Sequence, residues 1–170
     1  MKNNLFQLLM IGSFLGLVMT FSACKPEDPH GGEEEITTVK LIFNGGSTVS
    51  WKEGTATDPE IVLDANATYT VSVEFLNEED PNNIEDITVE VRGEDDEHLV
   101  CYEVLGGANA TITRTDSDGQ FEVGLATEWE TGAASSGTVM LTLRHQPGVK
   151  DGTCTPGDSD VEVTFNITIQ

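Results

Sequence analysis

Two histidines are the residues best suited to chemistry. His98 closes the acidic run Glu94-Asp95-Asp96-Glu97, and His145 lies in Leu143-Arg144-His145-Gln146-Pro147. Imidazole beside carboxylate is a donor set for Zn²⁺ or Cu²⁺. His98, His145, Glu97 and Asp96 therefore form one candidate metal site. The spacing does not force it: there is no HxH or HxxxH pair, and the two histidines meet only if the fold brings them together. The plainer alternative is two surface or hydrogen-bonded histidines. Neutral imidazole is the ligating form, so such a site would weaken below about pH 6.

Asp116-Ser117-Asp118-Gly119 offers a second donor set. Alternate acidic oxygens followed by a glycine turn suit Ca²⁺, but the bidentate glutamate that completes such a loop is missing. Asp and Gly also make ordinary hairpin turns, so Asp116 and Asp118 are calcium candidates beside a plain-turn reading. Cys101 and Cys154 read first as a disulfide outside the cytoplasm and otherwise as two buried thiols. No catalytic set emerges. The chain has no Gly-x-Ser-x-Gly elbow, no phosphate-cradling glycine loop before a helix, and no cysteine in a nucleophile's setting, so a non-enzymatic protein is expected.

The elements that must position these residues read as strands. Val39, Leu41 and Phe43 share one face, Asn44-Gly45-Gly46 turns the chain, and Val49 and Trp51 follow. Ile61 to Leu63 is a short apolar run. Tyr69, Val71, Val73 and Phe75 alternate with polar residues, as do Ile87, Val89 and Val91. His98 to Val104 is denser in apolar residues. Ile112 lies in a Thr-rich strand, and Phe121 to Trp129 can pair back across the turn after it. Val139, Leu141 and Leu143 form a further strand, and Val161, Val163, Phe165, Ile167 and Ile169 form the last. Period-two alternation marks half-buried antiparallel strands. Pro59, Pro81, Pro147 and Pro156 fall between them, where no ladder donor is lost. With about eight to nine short strands and no convincing amphipathic helix, the chain is expected to be all-β: an antiparallel, immunoglobulin-like sandwich, with a small β-barrel as the alternative.

The N-terminus reads as a lipoprotein signal peptide. Lys2 supplies the positive charge, Leu5 to Val18 is mostly apolar, and Ser22-Ala23 precede Cys24. The apolar run is interrupted and shorter than the roughly 20 residues of a bilayer span. The expected organisation is a signal peptide over 1–23, a lipidated tether over 24–35 starting at Cys24, and a sandwich over 36–170. The tether holds two prolines, two glycines, His30 and a charge run, a composition that buries no core. Cleavage removes Lys2 and no acid, leaving seven basic against 30 acidic residues, a charge of −23. That charge repels phosphate, so nucleic acid is excluded as a partner.

Several stretches together resemble a family of small lipoproteins from Bacteroidota. They are Glu34-Glu35-Ile36-Thr37-Thr38-Val39, Leu63-Asp64-Ala65-Asn66-Ala67-Thr68-Tyr69, Phe75-Leu76-Asn77-Glu78, Asp96-Glu97-His98, Thr131-Gly132-Ala133-Ala134-Ser135-Ser136-Gly137, Leu143-Arg144-His145-Gln146-Pro147 and Val161-Glu162-Val163-Thr164-Phe165. The resemblance implies an extracytoplasmic lipoprotein without an assigned activity. Some relatives are named type 1 periplasmic binding fold superfamily protein, although that fold needs two α/β domains and a longer chain. Lys25-Pro26-Glu27-Asp28 resembles the acidic export signals of surface lipoproteins in that phylum, with Pro26 departing from the usual form. The implied place is the outer membrane, lipid-anchored at the cell surface, with a periplasm-facing anchor as the alternative.

Three functions remain open. The first is a membrane-anchored module that binds an envelope protein or small ligand, and the resemblance to phylum lipoproteins suggests an accessory of an outer-membrane transporter. The second is Zn or Cu binding through His98 and His145. The third is a spacer without a site.

Overall fold

The computed structural model describes residues 35–170. The expected signal peptide, Cys24 and all but the last residue of the tether lie outside the described residues. Ten strands and one short helix follow in the order β1 (Thr38–Phe43), β2 (Thr48–Lys52), β3 (Glu60–Leu63), β4 (Thr68–Asn77), β5 (Glu85–Asp86), α1 (Thr88–Gly93), β6 (His98–Leu105), β7 (Ala110–Arg114), β8 (Ala126–Thr131), β9 (Ser135–His145) and β10 (Asp158–Ile169). One sheet runs β2-β1-β4-β8-β7, with β5 paired to the end of β4, and the other runs β3-β10-β9-β6. The protein is an all-β sandwich, and neither sheet of the described residues closes into the barrel held as the alternative.

Alternation builds the space between the sheets. Val39, Leu41, Val73, Phe75, Trp129, Val139, Leu141, Leu143, Phe165 and Ile167 are all at most 2% exposed, and all belong to one apolar cluster. Fully burying a side chain of this size contributes about 1.5–3 kcal/mol. Trp129 sits at the centre, edge-on to Phe43 at 5.5 Å and to Tyr102 at 6.3 Å.

Two elements depart from expectation. Ile87 to Val91 forms α1 and its lead-in, not a strand. Ile87, Val89 and Val91 fit a period of two, but Ile87 and Val91 are also four apart, which places both on one helical face. That face wins: Ile87 and Val91 are buried, while Val89 is 62% exposed. The Thr88 hydroxyl takes the place of a neighbouring strand, accepting from the Phe75 N–H at 2.9 Å and donating to the Phe75 carbonyl at 3.2 Å. The second departure is β3, which pairs parallel to β10 rather than antiparallel. The chain crosses from one sheet to the other between β2 and β3, so β3 arrives running with β10. Four residues carry no sequence mark of direction.

Glu78 ties the start of β1 to β2. Its carboxylate accepts from Thr38 Oγ1 at 3.1 Å, from Lys40 Nζ at 2.8 Å and from Lys52 Nζ. Lys40 and Lys52 hold it down at about 2, against some opposition from burial. A carboxyl more acidic in the folded than the unfolded chain stabilises above its ordinary value of 4.5, and that contribution fades as pH falls toward 2. Glu78→Gln is therefore expected to lower the urea midpoint above pH 5, with the gap to the parent protein closing toward pH 2. A gap independent of pH would contradict this role.

Candidate metal centre

The pairing of β6 with β9 decides where the histidines lie. Its register matches Val104 with Val139, Tyr102 with Leu141, Val100 with Leu143, and His98 with His145. The first three pairs face the space between the sheets and pack in or against the apolar cluster. Side chains alternate, so the histidine pair continues that same face at the end of the sandwich. His98 is 6% exposed. The rings stack with centroids 4.8 Å apart and planes 6° from parallel.

Three carboxylates surround the pair. One ligand atom each from Glu94, His98 and His145 lie within 4.8 Å of one another. Glu97 Oε2 is 3.6 Å from His145 Nε2, and Asp160 Oδ2 is 3.9 Å from His98 Nε2. Glu94 and Glu97 come from one tight turn, closed by the Glu97 N–H donating to the Glu94 carbonyl at 2.9 Å. Asp160 arrives through an irregularity in the β10–β9 register between Ser159 and Val161, and a bulge of this kind re-aims a side chain.

His98 Nδ1 lies 3.0 Å from the Glu94 backbone carbonyl. A carbonyl only accepts, so Nδ1 carries the proton and the neutral ring keeps its lone pair on Nε2. Nε2 lies 3.9 Å from Asp160 Oδ2, beyond direct hydrogen-bond reach, and is the ring atom left to bind a metal. Zn²⁺ bonds its nitrogen and oxygen ligands at about 2.0–2.2 Å, which puts tetrahedral neighbours roughly 3.4 Å apart. Donors up to 4.8 Å apart must therefore close by up to about 1.4 Å. The exposed Glu94 can swing, and one imidazole must tilt out of the stack because its lone pair lies in the ring plane.

Of the four residues expected from sequence, the fold brings His98 and His145 together and sets Glu97 beside His145. Asp96 is exposed in the turn and outside the cluster, because the tight turn points residue 94 back toward the histidines instead. Glu94 and Asp160 were not legible. Glu94, four residues before His98, carried a faint signal; Asp160 carried none, since its approach depends on the register shift.

Asp116 and Asp118, the calcium candidates, lie in a turn where protein donors meet their carboxylates. Asp116 accepts from the Gly124 N–H at 2.7 Å and the Leu125 N–H at 2.9 Å. Asp118 accepts from the N–H groups of Gln120 and Phe121 and from Lys150 Nζ at 2.7 Å. These oxygens already shape a turn, and the cation at Asp118 is an ammonium. Burial opposes ionisation of Asp118, but Lys150 and the two backbone donors outweigh it and hold the carboxyl at about 2.

Cys101 on β6 and Cys154 in the loop between β9 and β10 form a disulfide, with Cα atoms 6.0 Å apart. That loop lies over the outer face of the sheet. Gln146 at its start is fully buried, and its amide donates to the carbonyls of Thr153 and Pro156. Gly157 closes the loop at φ +77°, where a Cβ would fall 2.0 Å from the His145 carbonyl oxygen. Only glycine fits that approach. Among the described residues, no helix is long and apolar enough to cross a membrane. No protein-family description, curated protein or solved structure matches this chain.

Proposed function

We propose that the chain is a lipid-anchored envelope protein whose sandwich binds a divalent transition metal, Zn²⁺ or Cu²⁺, between His98 and His145. The observation that carries this reading is the cross-strand pairing of the two histidines on the core-facing side of the sheet, with Glu94, Glu97 and Asp160 around them. Two nitrogen donors with carboxylates fit these metals and suit Ca²⁺ or Mg²⁺ poorly. The anchor rests on the Lys2, apolar and Ser22-Ala23-Cys24 pattern. The same reading makes it a binding protein rather than an enzyme, at the outer membrane and facing outward, as the Bacteroidota resemblance implies.

Calorimetric titration of chelator-stripped protein tests the metal. The expected result is one Zn²⁺ or Cu²⁺ per chain, with His98→Ala and His145→Ala each weakening it by at least about tenfold. Binding that is absent, or indifferent to both substitutions, would dismiss the reading. Labelling with palmitate in cells tests the anchor, and a Cys24→Ser chain should take up none.

A further inference from the structure

The disulfide, a buried Lys–Asp pair and the metal cluster converge on a single loop. Residues 146–157 join His145 to the strand that carries Asp160. Cys154, within the loop, is bonded to Cys101, three residues beyond His98. Lys150, also within it, donates to the Asp95 carbonyl at 2.6 Å and to Asp118 at 2.7 Å. The Gln146 N–H donates to the Glu97 carbonyl at 2.6 Å. Asp95 and Glu97 belong to the tight turn that supplies the Glu94 and Glu97 carboxylates and holds His98 Nδ1. The loop therefore touches or connects every element of the cluster without itself donating a ligand.

We infer that this loop is a clasp on the metal site, fastened at Lys150 and at Cys154, and that reduction of the Cys101–Cys154 bond weakens metal binding. The inference rests on the metal reading above. Cys154 is exposed and Cys101 is 8% exposed, so an external dithiol meets Cys154 first. Its thiolate bonds to Cys154 Sγ, the S–S bond breaks, and Cys101 leaves as a thiolate. The second thiol of the reductant then attacks the mixed disulfide and releases Cys154. Two electrons pass, giving two protein thiols and one oxidised reductant. Arg114 Nη2, 3.3 Å from Cys154 Sγ, favours the departing thiolate by its charge. Once released, the loop holds Asp160 and the ligand-bearing turn through fewer fixed points. Groups that position metal ligands typically govern affinity by about 10–100-fold.

The test compares Zn²⁺ affinity, read by competition with a chromophoric chelator, for the full oxidised chain, for C101S/C154S and for Lys150→Met. The expected result is binding by the oxidised chain and binding at least about tenfold weaker in both variants, each with a β-sheet circular dichroism spectrum. Lys150→Met unfastens the loop with the disulfide intact, so it decides the matter even if the serine variant fails to fold. Equal affinity of the oxidised chain and Lys150→Met overturns the clasp and leaves the metal site standing. No binding by the oxidised chain removes both.

Discussion

Asp118→Ala is expected to cost about 3–5 kcal/mol of stability, which for a domain of this size lowers the melting temperature by roughly 10–15 °C. The reason is the ammonium left behind. Lys150 and Asp118 are only 3% and 5% exposed at their side chains. Without Asp118, the Lys150 charge keeps one carbonyl, that of Asp95, and little water. The turn loses its carboxylate acceptor for the N–H groups of Gln120 and Phe121 as well. Lys150→Met should cost less, because Asp118 retains those two backbone donors. Asp151 lies one residue further along the same loop and is exposed, so Asp151→Ala is the control and should change stability far less. Thermal unfolding of the three variants checks the order. Equal melting temperatures for Asp118→Ala and Asp151→Ala would show that the buried pair is not formed in solution.

Trp129→Ala is expected to cost a similar 3–5 kcal/mol by leaving a cavity at the centre of the sandwich. The ring is fully buried against Phe43 and Tyr102, and its Nε1 donates to Thr127 Oγ1 at 2.9 Å. Thr127 also donates to the Val71 carbonyl at 3.2 Å, so truncation leaves that hydroxyl paired and the loss is mainly one of packing. The chain has one other tryptophan, the half-buried Trp51. Substitution should therefore remove the blue-shifted part of the fluorescence and lower the urea midpoint together. A midpoint within error of the parent protein would mean that Trp129 does not organise the core.

How far these features could be read in advance depends on whether the signal was local. Alternation is local, so Val139-Leu141-Leu143 and Val161-Val163-Phe165 announced strands and the sandwich followed. Short segments carried conflicting local signals. Ile87 and Val91 satisfy a strand and a helix equally until the Thr88 hydroxyl occupies the neighbouring strand's backbone, and β3 is too short to reveal its direction. The candidate site depended on register, which no local pattern specifies. His98 continues the core face of β6 and His145 that of β9, yet only the match of Val100 with Leu143 makes the two histidines neighbours. The pairing of Lys150 with Asp118, 32 residues away, was invisible for the same reason.

X-ray absorption at the zinc edge, on protein loaded with one equivalent of Zn²⁺, tests the metal centre most directly. The account predicts two imidazole nitrogens at about 2.0 Å with carboxylate oxygen completing the shell, and loss of the imidazole scattering in the His98→Ala, His145→Ala chain. An all-oxygen shell, or a spectrum unchanged when both histidines are removed, would contradict it.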